Sequence, residues 1–598
     1  MRILPATLLL ASIGLACSRD EALREENRPR AVLLVTIDTL RADRLGCYGY
    51  PLAESRSIDG LAERGVLFEN AFSPVPLTLP SHTSLLTGTL PPYHGARSNG
   101  GYRAVEELVT LAEVLRERGW RTAAFVSSFV LDSQFGLNQG FETYGDVPQG
   151  EMSLTGVYHE RSAYETTEAA IGWLKSISPK QPFFLWVHYF EPHTPYSPRG
   201  GVPARMIERP YDAEVAAADF ELGVLLAHLR EAQWLEDTLV VFAADHGESL
   251  GEHGEETHGL LTYQSTLRIP LIVAHPSLPQ GMRVKGAVSL ADVMPTILDL
   301  LGIEDPPLPP PARSLAPALR GEALDSEPVY FECLASQLEH GWAPLSGVAY
   351  RGYKFIRAPR AELYDLRSDP AETDNLLTRE PGTATSLETM LDSILKRNPR
   401  PAGFSAPHYA LSDEERQKLQ ALGYAAEASG PAQESRGIDP KDGIEWIKVR
   451  DEAWRLYEQG MAAEALALFE RVLREDPKSG AFQSYAGAFL ISLNRPSEAI
   501  EHLRLALEYG MRASGVLFNL GLALEKTEKT TEAEAAYREA LDLNPKHLLT
   551  ILRLADLLAR TGRPEEARPW YEKLLGLWKG EPRVTEQLQL KLKALDER

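Results

Sequence analysis

From Ala31 onward, short apolar runs rich in β-branched residues alternate with stretches of helical periodicity. Val32 to Ile37, Thr122 to Val126, Phe183 to Val187, Leu239 to Ala244 and Pro270 to Val273 are such runs. A strand apolar on both faces must be covered on both faces, so these runs predict a mostly parallel sheet between helices, an α/β fold. Ligands gather at the carboxyl ends of strands in that architecture, and Asp38, His188 and Asp245 each stand at such an end. Further on, the Pro-rich stretch Pro306 to Pro311 predicts a surface connection. Val329 to Glu332, Gly347 to Ala349 and Tyr353 to Ile356 predict a smaller, partly antiparallel sheet.

From Pro399 to Asp442 the composition shifts to Pro, Gly, Ser and Ala around one helix, Asp413 to Leu422, which reads as a linker over 399–442. A catalytic-type domain over 30–398 precedes it. Beyond it Ala465, Ala499, Ala533 and Ala567 recur every 34 residues, with Phe469, Leu503, Tyr537 and Tyr571 four positions after each. Gly460 and Gly562 mark turns, and Pro477 and Pro545 close two units. The period resembles tetratricopeptide repeats, helix-turn-helix units in which small alanines let paired helices approach. An all-α repeat domain over 443–598, with a protein or peptide as its partner, is what that resemblance implies.

The chain has 598 residues, 44% of them apolar, enough for a large core, and its net charge of −22 with no Lys/Arg cluster argues against a nucleic-acid partner. Any anionic substrate has to be held by local groups. At the start, Arg2, the apolar Leu8-Leu9-Leu10 with Ile13, and Gly14-Leu15-Ala16 before Cys17 predict an export signal over 1–17. The apolar stretch is too short for a permanent membrane span. It resembles a bacterial lipoprotein signal with Cys17 as the acylated residue, although Gly14 replaces the usual branched residue; ordinary cleavage and secretion is the alternative. Both place the mature protein in the periplasm or cell envelope, with a membrane contact only through a lipid anchor at Cys17. Cys47 and Cys333 are the remaining cysteines, so no disulfide framework is expected.

Twelve of the 14 histidines precede residue 409, which assigns any catalysis to the first domain. The segment Asp245-His246-Gly247-Glu248-Ser249-Leu250-Gly251-Glu252-His253-Gly254, followed by His258, concentrates metal-type donors after an apolar run. An Asp-His pair there supplies one hard and one borderline ligand. In Thr78 to Gly88, Pro80 and Ser81 are helix-start residues, which sets Thr78 at a helix amino terminus, a place that favours bound anions.

Together these segments resemble the sulfatase family. Val35-Thr36-Ile37-Asp38-Thr39, Thr78 to Gly88, His188 through Glu191-Pro192-His193-Thr194-Pro195-Tyr196, Asp245 to Gly254, Leu363-Tyr364-Asp365-Leu366 and Asp369-Pro370-Ala371-Glu372 with Asn375-Leu376 occur in that family's order. The likeness covers roughly residues 30 to 380 and implies the alkaline-phosphatase-like fold with a catalytic divalent metal. There are departures. Thr78 and His82 stand where sulfatases have the Cys or Ser converted to formylglycine and an Arg four later. Gly119-Trp120-Arg121-Thr122 is followed by Ser127-Ser128 rather than a Lys-Trp-His segment, His258 replaces a lysine, and Thr39 replaces the second Asp of the opening pair.

A threonine cannot yield the aldehyde, so no formylglycine is expected, and the chain looks like the threonine-nucleophile branch of the superfamily. The resemblance implies a metal on Asp38, Thr78, Asp245 and His246, with Zn or Mn favoured over Ca by the donor set. His82, His193 and His258 are the expected catalytic and substrate-binding groups beside Thr78, titrating near neutrality. Arg41 and Asp43 could reach the site or pair on the following helix; His253 is expected to orient its loop, Asp292 to start a helix, and His94 and His188 either to support the inner groups of the site or to pack. An exported hydrolase of phosphate, phosphodiester or sulfate esters is the leading reading, on small, glycan-borne or lipid-borne substrates. A transferase of phosphorylated head groups and a degenerate enzyme serving as a binding scaffold stand as alternatives.

Overall fold

The computed structural model describes residues 28–147, 160–178, 181–197, 206, 208–304, 312–409, 411, 415–416, 418–419, 435–578 and 582–596. The leader through Cys17, the Pro306 to Pro311 connection and most of the expected helix Asp413 to Leu422 lie outside these residues. The chain divides into two units, one reaching to Leu411 except for Ser336–Ala343, the other built on the repeats.

The first unit is organised by an eight-stranded sheet in the order β4-β3-β5-β1-β6-β7-β2-β8. The strands are β1 (Ala31–Ile37), β2 (Val66–Phe72), β3 (Arg121–Phe125), β4 (Thr143–Gly145), β5 (Phe183–Tyr189), β6 (Thr238–Ala244), β7 (Arg268–Ala274) and β8 (Met282–Ser289). The predicted runs correspond to β1, β3, β5, β6 and β7. Every residue of β1, β5 and β6 is buried, as strands covered on both faces require. Pairing is parallel from β4 across to β6 and between β2 and β8, whereas β7 runs antiparallel to both neighbours. Sequence patterning misses β2, because Glu69 and Asn70 interrupt it at a bulge, and the edge strand β8, whose residues are half exposed.

Register explains where the chemistry collects. Thr36 of β1 pairs with His188 of β5, and Ile37 pairs with Ala244 of β6. Asp38 and Asp245 therefore leave adjacent parallel strands level with one another, with His188 beside them on the third strand.

The smaller sheet has four strands, β9 (Val329–Cys333), β10 (Leu345–Tyr350), β11 (Tyr353–Arg357) and β12 (Glu362–Asp365), in the order β12-β11-β10-β9. It is antiparallel throughout rather than in part, and β12 is the Leu363-Tyr364-Asp365 segment. The helix Pro381–Arg397 buries Leu387, Leu391 and Ile394 against it. The expected linker is not free at its start: Pro407 O accepts from Arg103 N (2.8 Å), Gly101 O accepts from Tyr409 N (2.8 Å), and Phe404 meets the Tyr93 ring. Residues 400–409 thus belong to the first unit as a strap.

The second unit contains four helix pairs, Pro440–Glu458 with Ala462–Glu475, Gly480–Ser492 with Pro496–Glu508, Ser514–Lys526 with Thr530–Leu543, and Leu548–Arg560 with Pro564–Leu577, then a last helix, Pro582–Asp596. The first pair begins at Pro440, capped by Asp439, three residues before the expected boundary. Each periodic alanine is the fourth residue of a second helix and is fully buried. A Cβ on Gly487 would lie 2.6 Å from Leu503, and one on Gly521 would lie 2.5 Å from Tyr537. Ala453 and Ala555 fill the same repeat position, so the period marks where helices of a pair touch. Trp342, from the Ser336–Ala343 excursion, packs against Gly443 and Trp446 in this unit.

Candidate active site

Asp38 is the first residue past β1, and Asp245 the first past β6. Thr39 takes a left-handed conformation (φ 54°), which aims its backbone N–H at Asp245 Oδ1 (3.2 Å); the His246 N–H donates to the same oxygen (2.8 Å). Those two bonds occupy Oδ1 and leave Oδ2 alone. Asp245 Oδ2, both oxygens of Asp38, and His188 Nε2 are all fully buried without a hydrogen-bond partner. Buried carboxylate oxygens in that state are costly unless a cation meets them.

His246 supplies the third donor. Its Nδ1–H donates to Gly247 O (2.9 Å), which turns Nε2 toward Asp38 Oδ1 (3.5 Å) and Asp245 Oδ2 (3.4 Å). Ligands around a tetrahedral ion with bonds of ~2.0–2.1 Å lie ~3.3–3.4 Å apart, so these separations suit one shared divalent cation. The Asp38, Asp245 and His246 donor atoms all lie within 4.8 Å of one another. Thr78 begins the buried helix Thr78–Thr87, and its hydroxyl lies 3.4 Å from His246 Nε2. The Leu79 N–H in the first turn donates to Asn99 Oδ1 (2.8 Å), whose Nδ2 is buried without a partner.

His82, His188 and Asp245 form a second group with ligand-like spacing. His82 is spent, however. Thr36 Oγ1 accepts the Trp186 N–H (3.0 Å), so its own proton goes to His82 Nε2 (3.0 Å), and His82 Nδ1–H donates to Thr78 O (2.8 Å). Burial pushes the His82 imidazole down to about 3 and His188 to about 4. The expectation that His82 titrates near neutrality and contacts substrate is therefore corrected: both ring nitrogens hold the Thr78 helix to β1.

Arg41 is the second correction. Its guanidinium donates to Asp43 (2.9 and 2.8 Å), Glu252 (2.7 Å) and Glu248 O (3.0 Å), which commits four of its five N–H groups to the protein and ties down the 245–254 loop. His193 and His258 do join the cluster, with ring centroids 5.1 Å apart and His258 4.5 Å from His246. Burial lowers both imidazoles from the ordinary histidine value, for His193 against the pull of Asp38. His193 Nδ1–H donates to Thr194 O (2.6 Å). His253 donates to Ala371 O (3.0 Å) and stacks on Tyr263, Asp292 caps its helix start, and His94 bonds Ser84 (3.0 Å); these three are structural, as expected.

Sequence reading passed over Glu248. Its Oε1 accepts His258 Nδ1–H at 2.9 Å and its Oε2 accepts the Tyr196 hydroxyl at 3.1 Å. Burial raises the Glu248 carboxyl and lowers the His258 imidazole. A carboxylate behind an imidazole orients the ring and supports its proton. The signal was available in Glu248 standing two residues past His246. Of the two readings of His188, packing or supporting the site, the structure favours the second: its Nε2 faces Asp38 Oδ2 at 3.6 Å.

A nucleophile-type hydroxyl at a helix start, a carboxylate-imidazole cation cradle and a Glu-His pair on one sheet edge define an α/β ester hydrolase. Residues 30–303 match the sulfatase family model, residues 251–398 that of the N-sulphoglucosamine sulphohydrolase C-terminal region, and residues 456–512 and 518–582 those of tetratricopeptide repeats. The first unit carries a sulfatase family domain, and the carboxyl end carries tetratricopeptide repeats. It is 26% identical to an ulvan-active sulfatase of Formosa agariphila, over 66% of this chain and 86% of that protein. It is 26% identical to human arylsulfatase A, over 73% and 95%. Among solved structures, a phosphonate monoester hydrolase of Agrobacterium radiobacter superposes with a TM-score of 0.53 at 21% identity, over 62% of this chain and 96% of that one. A 2-O GAG sulfatase gives 0.53 at 21%, over 68% and 99%.

Proposed function

We propose that the enzyme cleaves anionic esters by direct attack of the Thr78 hydroxyl, without a formylglycine. The observation that carries this is the position of Thr78 Oγ1, at a helix start and 3.4 Å from His246 Nε2 beside the unpartnered oxygens of Asp38 and Asp245. Asp38, Asp245, His246 and Thr78 would hold the divalent cation, zinc or manganese by their donor chemistry, and when bound it lowers the hydroxyl pKa and offsets substrate charge. Asn99 Nδ2, buried without another partner, supplies a donor for a nonbridging oxygen. Thr78, its hydroxyl proton released to solvent, attacks the central atom of the ester, and the leaving oxygen departs with a proton from His258 Nε2 while Glu248 holds Nδ1. Water then attacks the Thr78 ester, gives its proton back to His258 Nε2, and expels the Thr78 oxygen, which regains a proton from solvent. His193 faces the same space and binds the transferred group.

Phosphate mono- and diesters are the substrates this nucleophile favours, with sulfate esters of glycans suggested by the relatives and transfer of a phosphorylated head group as the second reading. The leader ending at Cys17 supports a periplasmic or envelope location, and the repeats a peptide or protein partner. The test is metal analysis of the purified protein, then turnover of 4-nitrophenyl phosphate, bis(4-nitrophenyl) phosphate and 4-nitrophenyl sulfate by the parent and by Thr78→Ala. About one zinc or manganese per chain and at least a thousandfold loss in the variant are expected. Retained activity removes Thr78 from the mechanism, and a metal-free protein inert to all three substrates leaves the scaffold alternative.

A further inference from the structure

Lys354 on β11 and Glu372 are an ion pair, Nζ to Oε1 2.6 Å, with side chains 0% and 1% exposed. Lys354 Nζ lies between the Phe331 and Tyr263 rings, 5.1 and 5.9 Å from their centroids. Glu372 is held in a left-handed conformation (φ 56°), unfavourable for a residue with a Cβ. A buried pair contributes little net stability over apolar residues of the same volume, because desolvation offsets the attraction. The arrangement is better explained by what the carboxylate's other oxygen does.

Glu372 Oε2 accepts the backbone N–H of Gln264 (2.5 Å), the first residue of the short helix Gln264–Leu267. Thr266 of that helix presents its carbonyl to the Gly247 N–H (2.7 Å). A Cβ on Gly247 would lie 2.1 Å from Ser265 O, so the turn rests directly on this helix. Gly247 O, in turn, is the acceptor that orients the His246 ring. We propose that Glu372, its buried charge balanced by Lys354, is a positioning residue that fixes the Gln264–Leu267 helix and, through the Thr266–Gly247 bond, sets the orientation of His246. The inference rests on the reading of His246 as a metal ligand for its catalytic meaning, but not for its structural one.

Two full-length double variants separate the parts. Lys354→Met/Glu372→Leu removes both charges and the acceptor for Gln264 N–H, whereas Lys354→Met/Glu372→Gln removes the charges and keeps an acceptor oxygen. Hydrogen exchange over residues 245–250 reads the turn without reference to activity. The leucine pair is expected to exchange there about tenfold faster, the size of effect one lost buried hydrogen bond gives, and the glutamine pair within about threefold of the parent. Turnover should follow the same order, with kcat falling and KM held. Equal exchange in the two variants overturns the proposal. If the leucine pair does not fold, the glutamine pair decides alone: parental exchange supports the role, and a tenfold rise overturns it. A protein that proves metal-free defeats the catalytic reading while the exchange result still stands.

Discussion

Asp38→Asn should change the sign of its effect on stability when the cation is removed. Asp38 and Asp245 are both fully buried, and their ligand atoms lie within 4.8 Å. At that distance two like charges repel by about 3.5 kcal/mol at an effective dielectric of about 20. Burial raises both carboxyls, a desolvation cost separate from that repulsion, and the Asp38 charge raises Asp245 further. In chelator-treated protein at pH 8, Asp38→Asn therefore relieves up to about 3.5 kcal/mol and raises the melting temperature of the first unit by several degrees, at about 2 °C per kcal/mol. With the ion present at a thousand times its dissociation constant, the parent is stabilised by about 4 kcal/mol that the variant largely forfeits, so the same substitution now destabilises. Thermal melts of both proteins, with EDTA and with added zinc or manganese, measure the crossing. A parent indifferent to chelator, or a shift of one sign in both states, would refute the cradle.

Glu248→Gln should lower kcat/KM for alkyl esters by about a hundredfold and for 4-nitrophenyl esters by less than about threefold, because only a poor leaving group needs the proton that His258 delivers; equal losses on both substrates would remove that role. Burial pushes Glu255 up to about 8 in the fold. A carboxyl with a raised folded pKa binds its proton more tightly in the folded state, so stability falls as pH rises between the unfolded value, about 4.3, and about 8. Glu255→Gln should flatten that fall by a few kcal/mol in urea titrations at pH 5, 7 and 9; an unchanged slope excludes Glu255. In the repeats, Gly460, Asn494, Glu528 and Gly562 occupy one left-handed turn position. Glu528→Gly should stabilise the unit by about 0.5–1 kcal/mol, read as a small rise in its melting temperature, since the turn penalises a Cβ; a lower melting temperature would contradict this.

The residue pattern alone determined the elements whose burial is uniform. Strands β1, β5 and β6 are apolar on both faces because both are covered, and the 34-residue period is visible because each repeat solves the same packing problem with the same small residue. Asp38, Asp245 and His246 were legible as a donor cluster for a related reason: they follow such strands directly, at the carboxyl ends that the sheet register brings level, although all three are buried. Tertiary structure alone decided what each donor does. His82 and Arg41 have the right chemistry and the right neighbourhood, but His82 is bonded to Thr36 and Thr78 O, and Arg41 donates to Asp43 and Glu252. Glu248 and Asn99 gained significance only from partners 10 and 20 residues away, and the Lys354–Glu372 support for the Gly247 turn joins segments more than 100 residues apart. A sequence records which donors and acceptors exist. How they are shared out depends on distances across the fold, and a buried polar atom with no partner, the clearest mark of the site, is defined only once every other atom has been placed.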